Sequence, residues 1–496
     1  MIERMVSSIG MLRMCTMLAL CMAIVLSTVA YGAVKPNSLF SDGAVLQRGV
    51  KVPIWGTAND GEKVTVKLCG QTASTVAKDG KWMVWFKPLK GGGPFVMTVS
   101  GDNTVEVKDV MVGEVWICSG QSNMDFRMSS VRDAAKAIAE CTDPAMRMYN
   151  VPLSTQKAPL ADTNSSWAKC EPAFVSNYSA VGYYFARDLR KALNVPVGMI
   201  NTSYGGTVLQ AWVSVAGLQT NPIARQDMAA IAAMPEPPIW ATGQNTPGGL
   251  YNAMISPLIP YAIRGALWYQ GESNIGGGYN YRSLFGTLIN SWRNDWGQGK
   301  FPFLFVQIAP FSYGATESEP GDSQAAELRE AQRLTLLDCP RTAMAVITDV
   351  GDQNNIHPVD KEPVGHRLAL AARAMCYGQK VAYRGPSYRS MVIKDSSVVL
   401  SFDDAGKGLI AKGGEPIGFT IAGADGKFVK AQAVINGNKI TVSSPKVSKP
   451  VAVRYGWAYS PIVNVFNSYD LPMSPFRTDT FKLTTQPENT PYTKLQ

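Results

Sequence analysis

The spacing of apolar residues changes twice along the chain. From residue 33 to about 108, short alternating runs (VPIWGTA, KVTVKL, WMVWFKPL) are separated by NDG, KDG and GGG. A period of two broken by glycine turns predicts a small β-sandwich. From 109 to about 385, apolar runs of strand length alternate with helical stripes, which predicts an α/β domain with a parallel sheet. Strands are expected at 114–119, 195–201, 263–269, 301–309 and 342–349, and helices at 131–140, 180–193, 281–292, 324–337 and 363–376. Ser179 stands where the second helix needs an N-cap. In the last helix, Val364, Leu368, Ala371, Ala372 and Met375 form one apolar stripe, and His366 lies off it. Between 213 and 258 the regularity fails among prolines and glycines, as expected of a substrate-shaping loop over a sheet. From 386 to 496 the β pattern returns in SSVVLSF, PIGFTIAG, AQAVING and KITVSS.

The first 32 residues follow a different rule. Residues 14–30 form an apolar run without charge, preceded by Arg4 and Arg13 and followed by the small-x-small string Ala30-Tyr31-Gly32. This reads as a signal peptide cleaved near Ala33, giving a secreted or periplasmic protein with no membrane attachment afterwards. Among the 496 residues, 46% are hydrophobic and 17% charged, which excludes a disordered chain. The net charge of +9 comes from scattered Lys and Arg, so no nucleic-acid partner is expected. There are 2 His, too few for a multi-His metal centre, so imidazole chemistry must use His357 or His366. No CxxC, HExxH or P-loop occurs, and neither metal nor organic cofactor is expected. Cys118, inside an apolar run, reads as a buried thiol. Cys141 and Cys170 are the pair to test for a disulfide.

In a parallel α/β sheet, ligands bind beyond the carboxyl ends of the strands. Four of the five expected strands end in related blocks: SGQSNM at 119–124, NTSYGGT at 201–207, QGESN at 270–274 and DVGDQNNIHP at 349–358. Together they bring Ser, Gly, Asn and His to one rim. These side chains suit acyl transfer. A hydroxyl needs a base to become nucleophilic, and the tetrahedral intermediate needs preorganised N–H donors.

The blocks resemble those of the SGNH hydrolases. The longer strings EVWICSGQSNM, GLYNAMISPLIPYAIRGALWYQGESN, IHPVDKEPVGHRLALAARA and VRYGWAYSPIVNVFNSYDLPMSPFRTD resemble the sialate O-acetylesterase family, as does LFSDGAVLQRGVKVPIWGTA near the start. The resemblance implies a flavodoxin-like three-layer parallel sheet flanked by N- and C-terminal β-rich segments. It also implies hydrolysis of sugar O-acetyl esters, with O-acetylated sialic acids as substrate. Position by position, it makes Ser122 the nucleophile and His357 the base. Gly205 (or its neighbour Gly206) and Asn274 join the Ser122 N–H in the oxyanion hole.

The acid stays open. Many SGNH enzymes carry Asp three positions before the His, where this chain has Asn354. Asp352, five positions before His357, is the nearest carboxylate on that side and the first choice. Asp349 and Glu272 are alternatives, with Gln121 as support, or a carbonyl could orient the ring. Arg127, Tyr204 and Trp457 are candidate substrate contacts. Arg127 is there for a sialate carboxylate, and Trp457 sits in an aromatic stretch at 455–460. Two other readings are an acetylesterase for xylan or another polysaccharide, and a non-catalytic glycan-binding protein. The sequence leaves the oligomeric state open.

Overall fold

A computed structural model describes residues 33–315 and 321–488. The expected signal peptide, 1–32, lies outside the described residues. The central sheet contains β1 (Thr104–Gly120), β2 (Asp143–Asn150), β3 (Trp167–Cys170), β4 (Val197–Ser203), β5 (Gly265–Tyr269), β6 (Phe303–Val306) and β7 (Thr342–Ala345). Their order is β3-β2-β4-β1-β5-β6-β7, parallel throughout except for the edge strand β3. From β1 the chain runs out to β2 and the edge strand β3, returns to place β4 between β2 and β1, and then crosses to β5 on the other side. The sheet therefore reverses direction at β1, and a crevice opens beyond its carboxyl end.

Helices α1 (Ala180–Leu193), α2 (Gly278–Trp296), α3 (Gln324–Asp338) and α4 (Glu362–Tyr377) cover both faces. The period of two along β1 sorts them. Trp116 and Cys118 join the core under α1 and α4, whereas Val115 and Ile117 join the core under α2 and α3. The result is three layers, as the resemblance implies. Ser179 caps α1, its hydroxyl accepting from Gly182 N–H. Val364, Leu368, Ala371 and Ala372 of α4 are buried, and His366 is exposed.

Two strands went unpredicted. β2 reads DPAMRMYN, and its central Arg147 disguises it. That arginine is buried and held by Asp109 and the carbonyls of Pro144 and Met146. β3 spans only four residues. The irregular stretch 213–258 also holds helices at Val215–Thr220 and Pro222–Ala232.

The N-terminal runs form strands, Val52–Thr57 pairing with Lys81–Phe86 and Lys63–Leu68 with Gln71–Val76. β1 starts in this β segment, antiparallel to Gly92–Ser100, and continues without a break into the central sheet. The division expected near residue 108 thus falls within one strand. Buried Glu114 fastens the junction. It accepts from Arg48 (2.6 Å), Arg264 (2.8 Å), Gln47 (3.0 Å) and the Tyr377 hydroxyl (2.9 Å). The C-terminal β segment has its own core, around Phe402, Tyr455 and Phe476. It docks on α3, where buried Arg329 donates to the carbonyls of Ala458 and Tyr459, and Glu327 accepts from Thr484 and Thr485.

Candidate active site

Ser122 opens a single helical turn, Ser122–Asp125, immediately after β1. Gly120 makes the bend there. Its φ is +137°, and a Cβ would lie 2.1 Å from the Tyr269 carbonyl oxygen of β5. Gln121 locks the bend to the β5 loop. Its N–H donates to the Tyr269 carbonyl, and its side-chain oxygen accepts from the N–H groups of Gly271 and Ser273. The Ser122 hydroxyl that emerges faces His357 Nε2 at 2.7 Å. This is the contact a general base makes with its nucleophile.

Gly205 stands beside the serine, and a Cβ there would sit 3.4 Å from Ser122 Cβ. Gly206 has φ +69° and points into open space. Asn274 is fixed to the same loop: Oδ1 accepts from Leu209 N–H and Gln270, and Nδ2 donates to Gln210 Oε1 at 3.1 Å. An amide nitrogen has two hydrogens, and this arrangement uses one. Tyr204 is half-buried, its N–H donating to the Gly120 carbonyl.

The acid expected at Asp352 is not on the imidazole. Asp352 is exposed and turns back to accept from Asn354 N–H at 2.8 Å. Asp349 is paired with Arg367. Glu272 is buried and accepts from Asn123 at 2.6 Å. Among the described residues, no carboxylate is hydrogen-bonded to His357. Asp352→Asn is therefore expected to leave kcat nearly unchanged, against the ~10⁴ lost when a triad Asp is replaced. Steady-state kinetics on p-nitrophenyl acetate checks this.

Trp457 is also corrected. It is 7% exposed, with the guanidinium groups of Arg454 and Arg477 at 4.7 Å and 5.6 Å from its ring, so it packs within the C-terminal segment and offers little open ring to a sugar. Arg127 is exposed on the segment that follows the nucleophile. Asp125, unremarked in the sequence, accepts from Ser203 at 3.3 Å, and burial raises its pKa. Lys361 and Asn123 were missed as well. Lys361 is 1% exposed and donates to Asn123 Oδ1 at 2.6 Å. The one available signal was Asn123 itself, next to the nucleophile.

Cys118 is a buried thiol, with burial pushing its pKa up to about 12. Cys141 and Cys170 are both buried and reduced, and Cys170 Sγ donates to the Cys141 carbonyl.

With this geometry in place, comparison with known proteins shows the family. Residues 112–373 match the family model described as carbohydrate esterase, sialic acid-specific acetylesterase. The sialate O-acetylesterase of Mus musculus is 32% identical over 410 residues, covering 70% of this chain and 74% of that protein. This chain belongs to that carbohydrate esterase family. It is a carboxylic ester hydrolase acting on O-acetyl esters of sugars. The human sialate O-acetylesterase is 33% identical over 371 residues, covering 67% of this chain and 69% of that protein. Among solved structures, a carbohydrate acetylesterase from Xanthomonas citri superposes with a TM-score of 0.83. It has 39% identity and covers 90% of this chain and 100% of that one. The matched span of this esterase contains the carboxyl half of β1, the Ser122 turn, β4, β5 and the His357 loop, so the family match and the site coincide.

Proposed function

We propose that this esterase releases acetate from O-acetylated sialic acids through an acetyl-Ser122 intermediate. The observation that carries the mechanism is the 2.7 Å contact between the Ser122 hydroxyl and His357 Nε2. His357 takes the hydroxyl proton as Ser122 attacks the ester carbonyl, then returns it to the sugar oxygen as that leaves. Water, deprotonated by the same imidazole, frees the acetate. The N–H groups of Ser122 and Gly205 and the second N–H of Asn274 hold the oxyanion. Export through a cleaved signal peptide is part of the same reading and matches a substrate displayed outside the cell.

The sialate preference rests on the family description and on the mouse and human relatives. Arg127 is the residue for the sialate carboxylate, since a guanidinium meets a carboxylate with two parallel hydrogen bonds. The aromatic face lost at Trp457 has a replacement in Trp240, which is 45% exposed on the turn Ile239–Ala241. Asn245, on the next turn, Gly243–Asn245, accepts from Val208 N–H, which joins that following turn to the Gly205 loop. A second reading, another acetylated carbohydrate, is favoured by the 39% identity to the Xanthomonas citri enzyme.

Acetate release from a panel tests the choice: O-acetylated sialic acids, acetylated xylan and simple acetyl sugars. The expected result is the highest kcat/KM on a sialic acid. Arg127→Ala should raise KM there and leave p-nitrophenyl acetate hydrolysis unaltered. Activity on acetylated xylan with none on any sialic acid moves the assignment to the second reading.

A further inference from the structure

Among the described residues no carboxylate holds the imidazole of His357, yet the backbone just before it is gripped from behind. Asn123 Nδ2 donates to the Ile356 carbonyl at 3.0 Å and to Glu272 Oε1 at 2.6 Å, while its Oδ1 accepts from Lys361 Nζ. Asn123 follows the nucleophile, Glu272 follows β5, and Lys361 precedes α4. Three elements of the site therefore meet at one buried amide. The Lys361 ammonium also lies over the rings of Phe126 (4.7 Å) and Tyr269 (5.5 Å).

We propose that Lys361 and Asn123 are positioning residues for this ester hydrolysis: the ammonium clamps Asn123, and Asn123 holds the Ile356 carbonyl so that His357 stays against Ser122 without an acid on its ring. The inference rests on the Ser122–His357 reading above.

Burying an ammonium costs several kcal/mol unless it is paired and hydrogen-bonded, and an apolar side chain would fill the same space without that cost. What the ammonium adds is a strong, charge-assisted hydrogen bond and a field. The field reaches His357, whose pKa is lowered by burial and then by the Lys361 charge. The groups facing Lys361 are Glu272 and Asp360, both of which favour its charged form, although burial brings its pKa down to about 7. Arg329 acts in turn on Glu272. Below neutral pH the ammonium is thus present and opposes protonation of the base.

The 2 His of the chain make the test clean. His366, exposed and bonded to Asp188, is an internal reference for an NMR titration of both imidazoles in the untagged protein. In Lys361→Met the His357 midpoint should rise while that of His366 stays. kcat should fall roughly 10²-fold with KM little changed, the scale of a small misplacement of a catalytic group. Lys361→Arg should restore the low His357 midpoint. Asn123→Ala, which keeps the ammonium, should retain the low midpoint and still lose kcat. An unmoved His357 midpoint in Lys361→Met overturns the inference, as does an Asn123→Ala enzyme within about twofold of wild-type kcat. If Lys361→Met does not fold, Asn123→Ala decides alone. The titration needs no turnover, so these results stand apart from Ser122→Ala, whose retained activity would sink the serine mechanism instead.

Discussion

Replacing Ser122 by alanine is expected to lower kcat on an acetyl ester by ~10⁴-fold or more, since loss of a catalytic serine removes the whole covalent route. The fold should survive. The bend at Ser122 is held by Gly120, by Gln121 and by the Tyr269 carbonyl, none of which needs the hydroxyl. The hydroxyl's bond to His357 is the one at stake, and losing a single hydrogen bond costs about 1 kcal/mol. Thermal unfolding measured beside acetate release separates the two effects. A variant that unfolds early and loses activity in proportion would make Ser122 structural.

The second large effect belongs to His357. His357→Ala should cost as much as Ser122→Ala, and the double variant should cost no more than either, because the pair acts as a unit. His366→Ala should matter little, since it sits on the exposed face of α4 against Asp188. The pH profile follows from the same residue. Burial, then the Lys361 charge, lowers the His357 pKa. The neutral, proton-accepting imidazole therefore persists below the ordinary value of about 6.5. Activity should rise with pH through that lowered value, placing the acidic limb of kcat/KM below 6.5. A limb above it would mean that another group titrates or that the imidazole is more solvated than its setting implies.

Much of this was legible in the sequence. The short apolar runs placed β4 and β5 to within two residues at either end, and the capping serine and apolar stripes located α1 and α4. The four blocks at the rim were legible because a parallel sheet gathers strand ends and loops at one edge, and the resemblance picked Ser122, Gly205, Asn274 and His357 out of them. What escaped depends on tertiary partners. β2 was hidden because Arg147 is neutralised by Asp109 from a strand that the sequence cannot place beside it. Asp352 was chosen by proximity in sequence, but its carboxylate is spent on the backbone of its own turn. Trp457 looked like an open aromatic until two arginines from the C-terminal segment were found against it. Lys361 stood out in no way, because nothing local shows that Phe126, Tyr269 and Asn123 lie against it.

The proposed mechanism requires one bond formed at one oxygen, Ser122 Oγ. Labelling with a small p-nitrophenyl methylphosphonate, located by peptide mass spectrometry, tests it directly, since the reagent reacts with an activated serine and mimics the tetrahedral intermediate. The expected result is one label per chain, on Ser122, with acetate release lost in step with labelling. Inactivation with the label on another residue would contradict it, as would continued acetate release by a chain fully labelled at Ser122.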